Sequence, residues 1–192
     1  MSHVPAALIA LRVLIAPLLV WDAIDGSTSL WFVVGYAIAF LSDILDGVVA
    51  RRLQISTAQL RQADSAADVC LYLAVYLSAW LAHRELVVAL WIPILAAVMA
   101  QAIWLVVNVV KYGKPASYHT YSARLWGVTL AIATIALFGF DQAGLWIWIA
   151  AIVGVIHSFE EIAMTLVLPE WQHDVWSLYH ALELRNQGVG LE

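Results

Sequence analysis

Apolar runs of about 20 residues recur along this chain, and no other feature constrains its fold as strongly, because a helix of that length crosses the hydrocarbon layer of a membrane. Inside that layer a backbone must satisfy its own polar groups, so helices or a closed barrel are the available solutions. Six runs are predicted to be helices, at roughly 5–21, 30–50, 65–82, 86–110, 122–140 and 144–168. The breaks between them are short and carry turn residues: Asp25-Gly26-Ser27, Tyr112-Gly113-Lys114-Pro115 and Asp141 to Gly144. The expected fold class is an all-α membrane protein with six transmembrane helices. After the last run, Trp176, Tyr179 and His180 fall at helical spacing and predict a short C-terminal interfacial helix. The alternative there is that His173 and Asp174 cap a groove. The expected organisation is thus a transmembrane domain over 1–168 and a cytoplasmic or interfacial segment over 169–192.

Composition agrees. Hydrophobic residues make up 64% of the 192 positions and charged residues 12%, about half the share usual in soluble domains. A net charge of −5 offers no basic footprint for nucleic acid, and the single cysteine, Cys70, cannot form an internal disulfide. The first run lacks a basic leader and holds Arg12 in its middle, which argues for a retained helix over a cleaved signal peptide. With six spans both termini lie on one side. That side collects Arg51, Arg52, Arg61, Lys111, Lys114, Arg124 and Arg185, against Arg84 alone opposite, so the positive-inside rule makes it cytoplasmic. Trp21, Trp31, Trp80, Trp91, Trp146 and Trp148 gather near the predicted outer ends, as an aromatic belt does.

Four aspartates stand where apolar helices should be cheapest to bury. Asp43 and Asp46 lie near the cytoplasmic end of the second run, and Asp64 and Asp68 near the start of the third. A carboxylate at the bilayer centre costs about 2.5–3.5 kcal/mol, less near the interface, so four of them imply a function. At about 100° per residue, Asp43, Asp46, Gly47, Ala50 and Arg51 share an arc of roughly 140°. Asp64 and Asp68 are one turn apart on a second face. If the helices pack antiparallel the acidic faces oppose, and either some carboxyls stay protonated or cations occupy the site. An all-oxygen donor set favours Mg2+ or Mn2+ over zinc, and Mg2+ prefers a few carboxylates shared with a substrate phosphate. Gly47 permits close approach of such a ligand, and Arg51 offers a fork to a phosphate oxygen. The plain alternative is that Gly47 and Ala50 are small residues serving helix packing.

These residues resemble the signature of the CDP-alcohol phosphotransferases, also called CDP-alcohol phosphatidyltransferases: Asp-x-x-Asp-Gly-x-x-Ala-Arg, eight residues, Gly, three residues, Asp, three residues, Asp. Asp43, Asp46, Gly47, Ala50, Arg51, Asp64 and Asp68 match in identity and spacing, and Leu60 stands where the family has glycine. Arg12 and the following Leu14-Ile15-Ala16-Pro17 are also similar to the family's first helix. The resemblance implies transfer of a phosphatidyl group from a CDP-linked lipid, CDP-diacylglycerol in type, to an acceptor alcohol with release of CMP, in phospholipid biosynthesis. It implies two Mg2+ or Mn2+ ions per site held by Asp43, Asp46, Asp64 and Asp68. Asp68 would be the general base, and Asp43, Gly47, Ala50, Arg51 and the position of Leu60 would line the CDP site. It further implies a homodimer in a bacterial inner or plasma membrane. An isobutyl group at position 60 reshapes the nucleotide pocket, changes the donor or marks a shifted helix start. A catalytically inactive CDP-lipid-binding scaffold is the alternative function. A divalent-cation transporter is less favoured, because the acids sit at one end of the helices beside an arginine.

Other polar groups on the cytoplasmic side are the candidates for binding the acceptor: Lys111, Lys114, His119, Arg124, His157, Glu160 and Glu161. His157, Glu160 and Glu161 are three and four residues apart and can share one face. The simpler readings are membrane anchoring for the three cations, a solvated loop for His119 and an Arg124–Glu161 ion pair.

Overall fold

The computed structural model describes residues 4–52, 58–142 and 144–188; within them the side chains of Asp46, Val48, Ala50, Arg51, Arg52, Ala58 and Arg61 lie outside the description. The chain is all-helical: α1 (Val4–Asp22), α2 (Leu30–Arg52), α3 (Ala58–Ala82), a single turn and a half α4 (Arg84–Ala89), α5 (Trp91–Tyr112), α6 (Tyr121–Phe140), α7 (Gly144–Val167) and α8 (Leu178–Asn186). An isolated bridge between Ser117 and His173 is the only β pairing among the described residues. Five helices, α1, α3, α5, α6 and α7, carry membrane-length apolar stretches among the described residues; the apolar part of α2 covers Leu30–Leu45. The protein is a multi-pass membrane protein. Leu14, Leu18, Leu73, Val98, Phe159 and Leu166 turn outward, the arrangement lipid requires and water would penalise.

The predicted span over 86–110 is interrupted. Pro93 has no N–H and its ring crowds the carbonyl four residues earlier, that of Ala89, which favours a kink or break at this point. Leu90 accordingly leaves helical geometry (φ −105°, ψ 24°), α4 ends at Ala89 and α5 starts at Trp91. The third predicted run is also longer than its apolar part. α3 starts at Ala58, so Asp64 and Asp68 lie inside a helix instead of at its threshold.

Two compact units divide the chain, one within Met1–Ala89 and Thr134–Asp141, the other within Leu90–Ala133 and Gln142–Glu192. In the first, α1 packs on α2 and α3 through a stripe of Pro5, Ile9, Arg12, Ile15, Ala16 and Leu19, spaced at three and four residues. Gly35 of α2 lies against α1, where a Cβ would sit in ordinary van der Waals contact with Leu19 (3.4 Å) and Ile15 (3.9 Å). Phe32 stacks on Phe138 with centroids 3.9 Å apart, tying the end of α6 to α2.

In the second unit α5 and α7 pair partly through hydrogen bonds between their polar side chains. Gln101 Nε2 donates to Ser158 Oγ (3.0 Å) and Thr165 Oγ1 to Asn108 Oδ1 (3.1 Å). Such interhelical bonds hold membrane helices together where a hydrophobic driving force is absent. α5 ends on Gly113 in the left-handed conformation (φ 72°), whose N–H caps Val109 O at 2.9 Å. The following loop folds over the end of α7. Tyr118 is buried with its hydroxyl 3.0 Å from Thr165 Oγ1, and burial pushes the phenol pKa up, so it stays neutral. Ala116, Tyr118, Met164, Leu168, Val175 and Ala181 form the core here, with Leu178 and Leu184 of α8 against it. The C-terminal helix therefore starts after Trp176, capped by Ser177. Residues before it run beside the α5–α6 loop, with Tyr121 N donating to Trp176 O at 3.0 Å and Asp174 N to Ser117 O at 3.2 Å.

Gly154 of α7 sets the tightest approach. A Cβ there would stand 2.6 Å from Trp126 Nε1 and 3.0 Å from its Cε2. Trp126 cannot yield freely, because it stacks on His157 at 5.3 Å. Gly154→Ala is expected to cost about 1–3 kcal/mol by overpacking, read as a lower thermal midpoint in detergent. An unchanged midpoint would mean that the indole moves aside at no cost.

Candidate active site

Three helices of the first unit bring charge into one place. Asp43 comes from α2, Asp64 and Asp68 from successive turns of α3, and one oxygen from each carboxylate lies within 4.8 Å of the others. The one-turn spacing of Asp64 and Asp68 puts both on one face of α3, where both meet Arg12 of α1. Asp64 is buried and Asp43 and Asp68 are partly exposed, so the cluster has a dry floor and an accessible mouth. Its donors are all carboxylate oxygens, the chemistry that suits Mg2+ or Mn2+. Asp46, Ala50 and Arg51 share α2 with Asp43, and their side chains lie outside the described residues. Gly47 is partly exposed on α2 and Leu60 partly buried in the first turn of α3.

The floor of the cluster is Arg12. Its side chain is 0% exposed. Nη1 donates to Asp43 Oδ1 at 2.9 Å and also to Asp68 Oδ1, and Nη2 donates to Asp64 Oδ1 at 2.7 Å. One planar fork thus touches all three carboxylates, a geometry arginine supplies and lysine does not. Reading the sequence placed Arg12 inside a span and gave it no role. The signal was present: an arginine in an apolar helix needs a carboxylate partner, and the aspartates of α2 and α3 needed a cation.

The second unit holds a separate polar cluster. His157, Glu160 and Glu161 do share a region of α7, as their spacing predicted, and two alcohols from the start of α6 knit them together. Ser122 Oγ donates to Glu160 Oε2 and lies 3.3 Å from His157 Nδ1, while Thr120 Oγ1 donates to Glu161 Oε1 at 3.2 Å. His157 Nδ1 is 3.8 Å from Glu161 Oε1, and Leu178 N donates to Glu160 Oε1 at 3.2 Å. Thr120 and Ser122, at the threshold and in the first turn of α6, carry no spacing signal that ties them to α7.

The cations expected near this group are engaged elsewhere in the unit. Lys111 Nζ donates to the carbonyls of Thr165 (2.7 Å), Leu166 (3.2 Å) and Leu168 (2.7 Å), capping the C-terminal end of α7 where a positive charge is favoured. Lys114 lies 3.8 Å from the centroid of Trp171, and Arg124 lies over Tyr121 and Trp176 at 5.5 and 4.8 Å. Among the described residues Arg124 forms no ion pair with Glu161, whose carboxylate accepts from Thr120 and faces His157. His119, in the left-handed region (φ 57°), places Nε2 3.1 Å from Ser117 Oγ.

The CDP-alcohol phosphatidyltransferase family model matches residues 2–158 of the chain, which include the whole carboxylate cluster and Arg12. No curated protein and no solved structure matches it.

Proposed function

Because this chain belongs to the CDP-alcohol phosphatidyltransferase family, we propose that it moves a phosphatidyl group from CDP-diacylglycerol to an acceptor alcohol, releasing CMP, at the cluster of Asp43, Asp64 and Asp68. The observation that carries this reading is the convergence of those carboxylates from α2 and α3 in the family's spacing. Asp43, Asp46, Asp64 and Asp68 would hold two Mg2+ or Mn2+ ions. Bound there, the ions would neutralise charge on the donor's pyrophosphate and on the phosphoryl group in flight. Asp68 takes the proton from the acceptor hydroxyl. The freed oxygen attacks the lipid-side phosphorus, the phosphorus–oxygen bond to CMP breaks, and CMP leaves with the electron pair. Asp43, Gly47, Ala50, Arg51 and Leu60 line the CDP site in this scheme.

The residues proposed for acceptor binding, His157, Glu160 and Glu161 with His119, Lys111, Lys114 and Arg124, form a polar group of their own within the second unit. Since Lys111 already serves α7's carbonyls, and Lys114 and Arg124 lie on aromatic rings, a neutral or cationic alcohol fits this group better than a phosphorylated one. The catalytic domain is taken as 1–168, with cytoplasmic termini and a homodimeric assembly.

The test is CMP release by the purified protein in detergent with Mn2+ and CDP-diacylglycerol. Glycerol 3-phosphate, inositol phosphate, inositol, serine, choline and phosphatidylglycerol are supplied singly. Release that depends on one acceptor is expected and names the product. Donor binding with no release for any acceptor would instead favour a CDP-lipid-binding scaffold.

A further inference from the structure

The carboxylate cluster carries its own cation. Arg12 sits on the buried stripe of α1, with Ile9 and Ile15 on the same face, and is fully enclosed. A buried charge is tolerable only when paired, and removing one partner of such a pair leaves an uncompensated charge that is strongly destabilising. Here one guanidinium faces three carboxylates. Each gives it one oxygen, Oδ1. Three formal negative charges against one positive leave the cluster anionic and still able to attract a dication. Arginine stays protonated at all accessible pH, so this positive charge is fixed.

We propose that Arg12 is the resident counter-cation of the metal centre. It gathers Asp43, Asp64 and Asp68 in advance of a divalent ion, and its charge holds the centre's affinity for that ion down. This rests on the metal reading above. Two consequences follow from the geometry. The folded chain does not depend on metal, because Arg12 already ties α1 to α2 and α3 through the carboxylates. A divalent ion entering the cluster shares its ligands with a positive charge a few ångströms away, so the ion is retained weakly until an anionic donor adds charge of the opposite sign.

The experiment uses the full chain in detergent. Mn2+ binding is followed by the electron paramagnetic resonance of the free ion, and thermal unfolding is followed in EDTA and in Mn2+. Arg12→Gln is expected to bind Mn2+ at least tenfold tighter than the wild type. It should also unfold at a lower temperature than wild type in EDTA, with Mn2+ closing most of the gap. A folded Arg12→Gln protein whose Mn2+ affinity is unchanged or weaker overturns the proposal. If Arg12→Gln does not fold, Arg12→Gln with Asp64→Asn removes one charge of each sign and should fold in EDTA; failure of that pair also overturns it. Loss of Mn2+ binding in wild type and variant alike would remove the metal reading, a result distinct from equal, measurable binding in both.

Discussion

Asp68→Asn is expected to lower the rate of acceptor-dependent CMP release by about 10²–10⁴-fold, the range a positioned general base contributes. The amide keeps the size of the carboxylate and retains an oxygen that can accept from Arg12 Nη1, so α1 and α3 stay joined. It cannot take a proton from the acceptor hydroxyl. The fold should hold for a second reason: Asp43 and Asp64 still face Arg12, at 2.9 and 2.7 Å, so the guanidinium is not left uncompensated. The informative comparison is kcat against thermal midpoint. A large loss of kcat with a midpoint near wild type assigns Asp68 to the chemistry. Turnover within threefold of wild type would remove it from the role of base.

How much of this was legible beforehand differs by element. The apolar lengths of α1, α3, α5, α6 and α7 were readable because the bilayer fixes how long a span must be. The break at Leu90 was hidden by the same criterion: hydropathy over 86–110 is continuous, and only the backbone chemistry of Pro93 interrupts it. α3 starts earlier than its apolar run because Gln59, Gln62 and Ala63 are good helix formers that add nothing to hydropathy.

Within the site, Asp43, Asp64 and Asp68 were found from local spacing, which a helix converts directly into a shared face. Arg12 was not, because its partners lie 31 to 56 residues away and no periodicity links them. The reasoning that would have found it is charge balance across helices: a buried arginine in one span and unpaired aspartates in two others must meet somewhere. The same limit applied to Glu160 and Glu161. Their grouping with His157 followed from spacing, while their hydrogen bonds to Ser122 and Thr120 depend on how a loop closes over α7. Lys111 shows the same limit from the other side: its three bonds to backbone carbonyls at the end of α7 join residues 54 to 57 positions apart, and no local spacing announces them.

Chelation should have the second large effect, and its size follows from the charges around Arg12. Three carboxylates and one guanidinium leave an excess of negative charge in a partly buried site. A CDP pyrophosphate adds about two more negative charges, and like charges at such distances in a low-dielectric setting repel by several kcal/mol. EDTA is therefore expected to bring CMP release to the no-enzyme background and to weaken binding of CDP or CMP at least a hundredfold. Mn2+ or Mg2+ should restore both. Restoration should be complete, because Arg12 continues to hold α1, α2 and α3 together while the ions are away, so chelated protein does not unfold. Titration calorimetry with CMP, in EDTA and then in Mn2+, reads the binding arm without any turnover. Full activity after exhaustive chelation would show that the carboxylates act without divalent ions. Equal CMP affinity in both conditions would place the nucleotide away from Asp43, Asp64 and Asp68.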